Sequence, residues 1–108
     1  MADIGCGNGR LLRHIIESDM RDVFLEHALV YSGLDASRVL LSQAQADVKL
    51  QKYFSPSWIC GDMRESESLL AEQKPFDGFF LIASFHHLET YAERVSVLQQ
   101  LKKLLQPE

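Results

Sequence analysis

The chain has 108 residues, 46 % hydrophobic and 24 % charged, with a formal net charge of −4. Those values describe one ordinary globular domain that buries roughly two-thirds of the surface its unfolded form exposes, and they exclude wholesale disorder. They count against a dedicated nucleic-acid grip, since the nearest approach to a basic stripe is the pair Lys102-Lys103.

The chain opens MADIGCGNGR, with three glycines at alternate positions behind a short run containing Asp3. Arg10 to Met20 then reads as a helix, with Leu11, Leu12, Ile15 and Ile16 on one face. HALVYSGLD, residues 27–35, is a short apolar run that suits a buried strand. Residues 37–53 are helical in composition, with Ser37 at the N-cap, and Ser55-Pro56-Ser57 ends them. SWICGD (57–62) is a further short strand, and residues 64–73 a short helix closed by Lys74-Pro75. PFDGFFLIASF (75–85) is apolar nearly throughout, as a strand covered on both faces would be. Thr90-Tyr91-Ala92-Glu93 has the form of a capping box, and Tyr91, Val95, Leu98, Leu101 and Leu105 predict one helical stripe to the end. Short apolar strands alternating with amphipathic helices specify an α/β fold with a doubly wound parallel sheet.

Cys6 and Cys60 have no CxxC or Cys/His spacing, so free thiols in a reducing compartment are expected and no metal site. No signal peptide, polybasic tail or apolar run of membrane-spanning length is visible. The expected location is cytoplasmic, with no membrane partner.

In a doubly wound sheet, ligands sit beyond the carboxyl ends of the strands. A glycine loop entering a helix there lets backbone approach a ligand, and the helix N-terminus favours an anionic group. The nicotinamide fingerprint is G-x-G-x-x-G, whereas this loop is G-x-G-x-G with Asp3 two residues ahead of it. A carboxylate there would repel a pyrophosphate but pair with an amino group, which favours a ligand carrying an α-amino acid. The rival reading is a tight turn with no ligand. Asp35 closes the second strand, where a carboxylate can accept from both ribose hydroxyls or cap the next helix. Asp62 closes the third, in Cys60-Gly61-Asp62-Met63, and could receive an adenine amino group or serve only as a turn residue.

DIGCGNGR, GLDAS, CGDM and FDGFFLIASFHHLET together resemble the successive motifs of the class I S-adenosylmethionine-dependent methyltransferases, in that family's order and nearly its spacing. The resemblance covers residues 1–108 as a single cofactor-binding core. It implies a Rossmann-like, three-layer α/β/α fold with strand order 3-2-1-4, out of a family sheet of seven strands, and S-adenosylmethionine as the cofactor. It implies that Asp3, Gly5, Cys6 and Gly7 hold the methionine part, with Arg10 near its carboxylate and Ala83 offering backbone to its amino group. Asp35 would take the ribose hydroxyls, Ala36 would lie beside the adenine, and Asp62 and Met63 would read its edge. His86 and His87 are the candidates for a base, because imidazole titrates near neutrality.

Relative to the family pattern the chain looks short at both ends, with the first strand reduced and the later strands missing. That leaves the methyl acceptor open between a small molecule and RNA, and exposes one edge of the fourth strand to a partner protein or a second copy. The alternative is a non-catalytic cofactor-binding or scaffold module that needs a partner chain. A nicotinamide-dependent oxidoreductase is the third reading, disfavoured by the glycine spacing.

Overall fold

The structure, a computed structural model, describes residues 1–27, 29–73, 75–81 and 88–105. Its centre is a four-stranded parallel sheet in the order β3-β2-β1-β4, formed by β1 (Ala2–Ile4), β2 (Ser32–Asp35), β3 (Ser57–Cys60) and β4 (Phe79–Phe80). The register pairs Asp3 with Gly33, Gly33 with Trp58, and Asp3 with Phe80. Six α-helices are described: α1 (Arg10–Glu17), α2 (Arg21–Glu26), α3 (Arg38–Ala46), α4 (Val48–Phe54), α5 (Ser66–Leu69) and α6 (Tyr91–Leu104). The result is the Rossmann-like α/β arrangement expected from the sequence, with the 3-2-1-4 strand order.

Strand side chains alternate between the two faces of a sheet, and two core clusters divide along that rule. Ala2, Ile4 and Leu34 pack with Leu70, Phe76, Val97, Leu101 and Leu104, under α5 and α6. Tyr31 packs with Leu12, Ile15, Ile16, Ala44, Leu50 and Phe54, under α1, α3 and α4, and Trp58 joins it there. Asp3, one residue out of phase with Ala2 and Ile4, therefore shares a face with Tyr31, Gly33 and Trp58. Burying each of these large apolar side chains stabilises the fold by about 1.5–3 kcal/mol, and the two clusters fix the sheet from both sides.

Several boundaries differ from the sequence reading. The first helix stops at Glu17, and a separate α2 follows with no buried residue of its own, so it carries no apolar periodicity to detect. The 27–35 strand begins at Ser32; ahead of the ladder Tyr31 is buried in the core and Leu29 packs half-buried against it. The 37–53 helix is two helices broken at Asp47, whose carboxylate accepts from Lys49 N at 3.0 Å to cap α4. Residues 64–73 form only one short α-helix between two 3₁₀ turns, and the strand read over 57–62 ends at Cys60. Of the strand read over 75–85, the described part pairs at Phe79–Phe80.

The capping box at Thr90 is present: the hydroxyl accepts from Glu93 N at 3.1 Å, and Thr90 N donates to the Glu93 carboxylate at 3.2 Å. The stripe behind it is rotated from the expected one and shares only the buried Leu101 with it. Val97, Leu101 and Leu104 are buried, while Tyr91 is 81 % and Leu98 50 % exposed. Gln100 sets that rotation. Its amide donates to Arg64 O at 2.7 Å and accepts from Glu67 N at 2.9 Å, which turns the neighbouring 97/101/104 row onto the sheet. No described helix is long and apolar enough to cross a membrane.

Candidate functional site

β1 runs straight into Gly5-Cys6-Gly7-Asn8-Gly9, and this loop is tied to the end of β2. Gly5 N and Cys6 N both donate to Leu34 O, at 2.7 and 3.0 Å. Gly7 N donates to Asp35 Oδ2 at 2.8 Å, and Ser37 N donates to Asp35 Oδ1 at 2.8 Å. Asp35 is thus a brace between loop and strand. The cap of α3 is Ser37 itself, whose hydroxyl accepts from Leu40 N at 3.2 Å.

The loop's glycines serve different needs. Gly9 has φ +89°, and a Cβ there would sit 2.5 Å from Leu50 Cδ1, so this glycine lets the start of α1 pack on α4. Gly7 has φ +58°, yet its nearest neighbour would be Leu40 Cδ1 at 3.9 Å. The space beside Gly7 belongs to a cleft of about 560 Å³ lined by Asp3, Gly5, Cys6, Gly7, Asn8, Arg10, Leu11, His14, Asp35 and Leu40. The opening of α1 at Gly9 has no side-chain cap, so its first N–H groups are left for water or a ligand at this cleft.

Asp3 is the charged residue of the site taken furthest from water, only 3 % exposed. Its Oδ2 accepts the Tyr31 hydroxyl at 2.6 Å. Burial raises its pKa above the ordinary carboxylate value; the Tyr31 hydrogen bond opposes that shift, and the Asp35 charge adds to it. The Cys6 thiol is pushed up as well, by burial and by the charges of Asp3 and Asp35, and stays a neutral packing group.

A second cleft of about 510 Å³ adjoins the first through Gly5, Asp35 and Leu40, and continues past Ala36, Gly61, Asp62, Met63, Arg64, Leu88, Glu89 and Glu93. Here Asp62 and Glu93 are half-buried and paired with one cation. Arg64 Nε lies 2.9 Å from Asp62 Oδ2, and its Nη1 lies 3.0 Å from Glu93 Oε2. Asp62 Oδ1 also accepts from Arg64 N at 2.9 Å, capping the turn after β3. Hydrogen bonds from Arg64 hold both carboxyl groups below their ordinary pKa.

Residues 2–108 match the family described as "Methyltransferase domain". This chain belongs to the class I methyltransferases. It is similar to the N-methyltransferase FrzE of Cladobotryum sp., 25 % identical over 112 residues, which takes in 99 % of this chain and 39 % of that protein. The chain thus spans about two-fifths of the length of the curated relative it matches.

In this methyltransferase domain the sequence-predicted residues fall into the two joined clefts. Asp3, Cys6, Gly7 and Arg10 line the first, Ala36, Asp62 and Met63 the second, and Gly5 and Asp35 the border. Ala83, His86 and His87 lie outside the described residues. Sequence reasoning missed His14, Tyr31, Leu40, Arg64, Glu89 and Glu93. His14 stands four residues after Arg10, hence on the same helix face, and that spacing could have revealed it. Tyr31 carried no such signal, being one member of an apolar run.

Proposed function

We propose that this domain binds S-adenosylmethionine across the two clefts and passes its methyl group to a small-molecule acceptor. The observation that carries the reading is a buried carboxylate, Asp3, beside an open glycine and an uncapped helix start. An α-amino acid matches that arrangement at both ends: its ammonium pairs with Asp3, and its carboxylate meets the N–H groups of α1 and the Arg10 guanidinium. A dinucleotide does not, because Asp3 would face a pyrophosphate. Each oxygen of Asp35 accepts one backbone N–H, which leaves about half of a carboxylate's roughly four acceptor positions for ribose hydroxyls. Ala36, Asp62 and Met63 then flank the space for the adenine.

The cofactor supplies a methyl group already activated on a sulfonium, so the protein's task is chiefly positioning. The loop is suited to that, with the backbone N–H groups of Gly5, Cys6 and Gly7 tied to Leu34 and Asp35. A base is needed only where the acceptor must lose a proton, and His86 or His87 is our candidate for it. The similarity to an N-methyltransferase supports a nitrogen atom as the acceptor, and the net charge of −4 supports a small molecule over RNA. Free Cys6 and Cys60 support a cytoplasmic location.

Calorimetric titration of the chain with S-adenosylmethionine tests the reading, with NADH as control. Saturable binding that is lost in Asp3→Asn is the expected result. No binding by a folded chain, or equal binding of NADH, would overturn it.

A further inference from the structure

Tyr31 is fully buried, and its hydroxyl is spent on Asp3 at 2.6 Å, the one side-chain hydrogen bond that either partner makes among the described residues. The ring has little freedom. It meets the Trp58 ring edge-on at 5.5 Å and 62°, and it sits in the cluster made by Leu12, Ile15 and Ile16 of α1 and Leu50 of α4. Trp58 is itself held, its indole N–H donating to Gln51 Oε1 at 3.0 Å. A chain of fixed contacts thus runs from α4 through Trp58 and Tyr31 to one oxygen of Asp3, while Asp3 also lines the cleft.

Resting on the reading that the cleft takes an amino acid ammonium, we propose that Tyr31 is a positioning residue which orients the Asp3 carboxylate and keeps it available as the receptor for that ammonium. Both functions follow from the hydrogen bond. It removes the rotation of the carboxylate about χ2, so one lobe of the group faces the cleft before a ligand arrives. It also stabilises the charged form of a carboxylate that burial and the Asp35 charge disfavour. The other titratable or charged groups lining this cleft are Cys6 in the loop and Arg10 and His14 on α1. The phenol itself does not titrate in the working range, since burial and Asp3 both drive its pKa upward.

Tyr31→Phe tests this because it keeps the ring and deletes only the hydroxyl. The probes are S-adenosylhomocysteine, which carries the amino acid, and 5′-methylthioadenosine, which is a thioether nucleoside without it. The variant should weaken S-adenosylhomocysteine by about tenfold, the worth of one hydrogen bond to a charged group, and leave methylthioadenosine unchanged. The acid limb of S-adenosylhomocysteine affinity should move to higher pH in Tyr31→Phe, because the Asp3 carboxylate loses the hydrogen bond that favours its charged form. Equal weakening of both nucleosides would assign Tyr31 a merely structural role, and no weakening of either would overturn the proposal. If the unaltered chain binds neither probe, the cofactor reading fails on its own. The Asp3 carboxyl titration, read by carbon NMR, then decides the Tyr31 contact: a midpoint unmoved in Tyr31→Phe would refute its influence on Asp3.

Discussion

Asp3 and Asp62 lie at the carboxyl ends of two strands of one sheet and line adjoining clefts, but their surroundings are opposite. Asp3 is 3 % exposed with a neutral phenol as its partner, while the Asp62 side chain is 39 % exposed against a guanidinium. Burial raises the pKa of the first, and Arg64 lowers that of the second. The glycine end of the cleft therefore stores an unfavourable buried charge that a cationic ligand would relieve. The Asp62 end holds its charges in a surface pairing, which water and salt compete for at little cost. One end is rigid, and the other can adjust.

The largest way to break the rigid end is at Gly9. An alanine there meets Leu50 Cδ1 at 2.5 Å and must hold φ +89°. Left-handed strain of about 1–2 kcal/mol and overpacking of about 1–3 kcal/mol combine to a loss of about 2–5 kcal/mol. Denaturant unfolding checks it, and a loss below 1 kcal/mol would mean that α4 yields easily. Gly7→Ala carries the strain without the clash, so it should cost about half as much stability while narrowing the cleft.

Next in size is Asp35→Ala. We expect cofactor affinity to fall by one to two orders of magnitude, about 1.4–2.8 kcal/mol, measured by calorimetry. The same change frees Gly7 N and Ser37 N, so the loop should also show faster amide exchange. Faster exchange with unchanged affinity would leave Asp35 as a brace alone.

Asp3→Asn separates the two ends by the sign of their pH dependence. The raised pKa means that folded Asp3 holds a proton at pH values where the unfolded chain has released it. Its contribution to stability thus falls as pH rises from the unfolded carboxylate value through the higher folded one. Asp62 has the reverse sign: its contribution is present above the unfolded value and is lost as pH falls through the lowered folded one. Asp3→Asn should therefore leave the chain at least as stable at neutral pH, with the fall removed, although the ligand is lost. Unfolding midpoints across pH 3 to 8, the range spanning ordinary carboxylate values and neutrality, would show it. A variant that is less stable at neutral pH would mean that the Tyr31 bond outweighs the buried charge.

The α/β class and the loop were legible because their signals are local: alternating apolar strands and helices, and glycines at alternate positions; the 3-2-1-4 order was implied by the family resemblance alone. Asp3, Asp35 and Asp62 were legible as acids at strand ends. Tyr31 was not, because what aims it at Asp3 is the 2–32 register together with a Trp58 contact from a third strand. The α6 face was misread for a similar reason. Tyr91, Val95, Leu98, Leu101 and Leu105 form as good a helical row as Val97, Leu101 and Leu104, and what separates them is long-range: the core packing of the second row and the bonds of Gln100 to Arg64 and Glu67. Asp47 hid the break between α3 and α4, since an aspartate inside a helical composition reads as surface until its cap is seen.

The smallest expected effect is at the adjustable end. Arg64→Ala removes the pairing that joins Asp62, just beyond β3, to Glu93 in the first turn of α6. Arg64 is a solvent-exposed side chain, so the unfolding midpoint should not move measurably, at low salt or high. Ligand behaviour should change instead, because Asp62 and Glu93 lose their shared cation and leave two carboxylates along one cleft wall. Affinity for a positively charged ligand such as S-adenosylmethionine should then rise slightly relative to neutral methylthioadenosine, and added salt should erase the difference. A large loss of affinity for both would show instead that the Arg64 bridge holds α6 against β3 as a wall of the cleft, making the second end as rigid as the first.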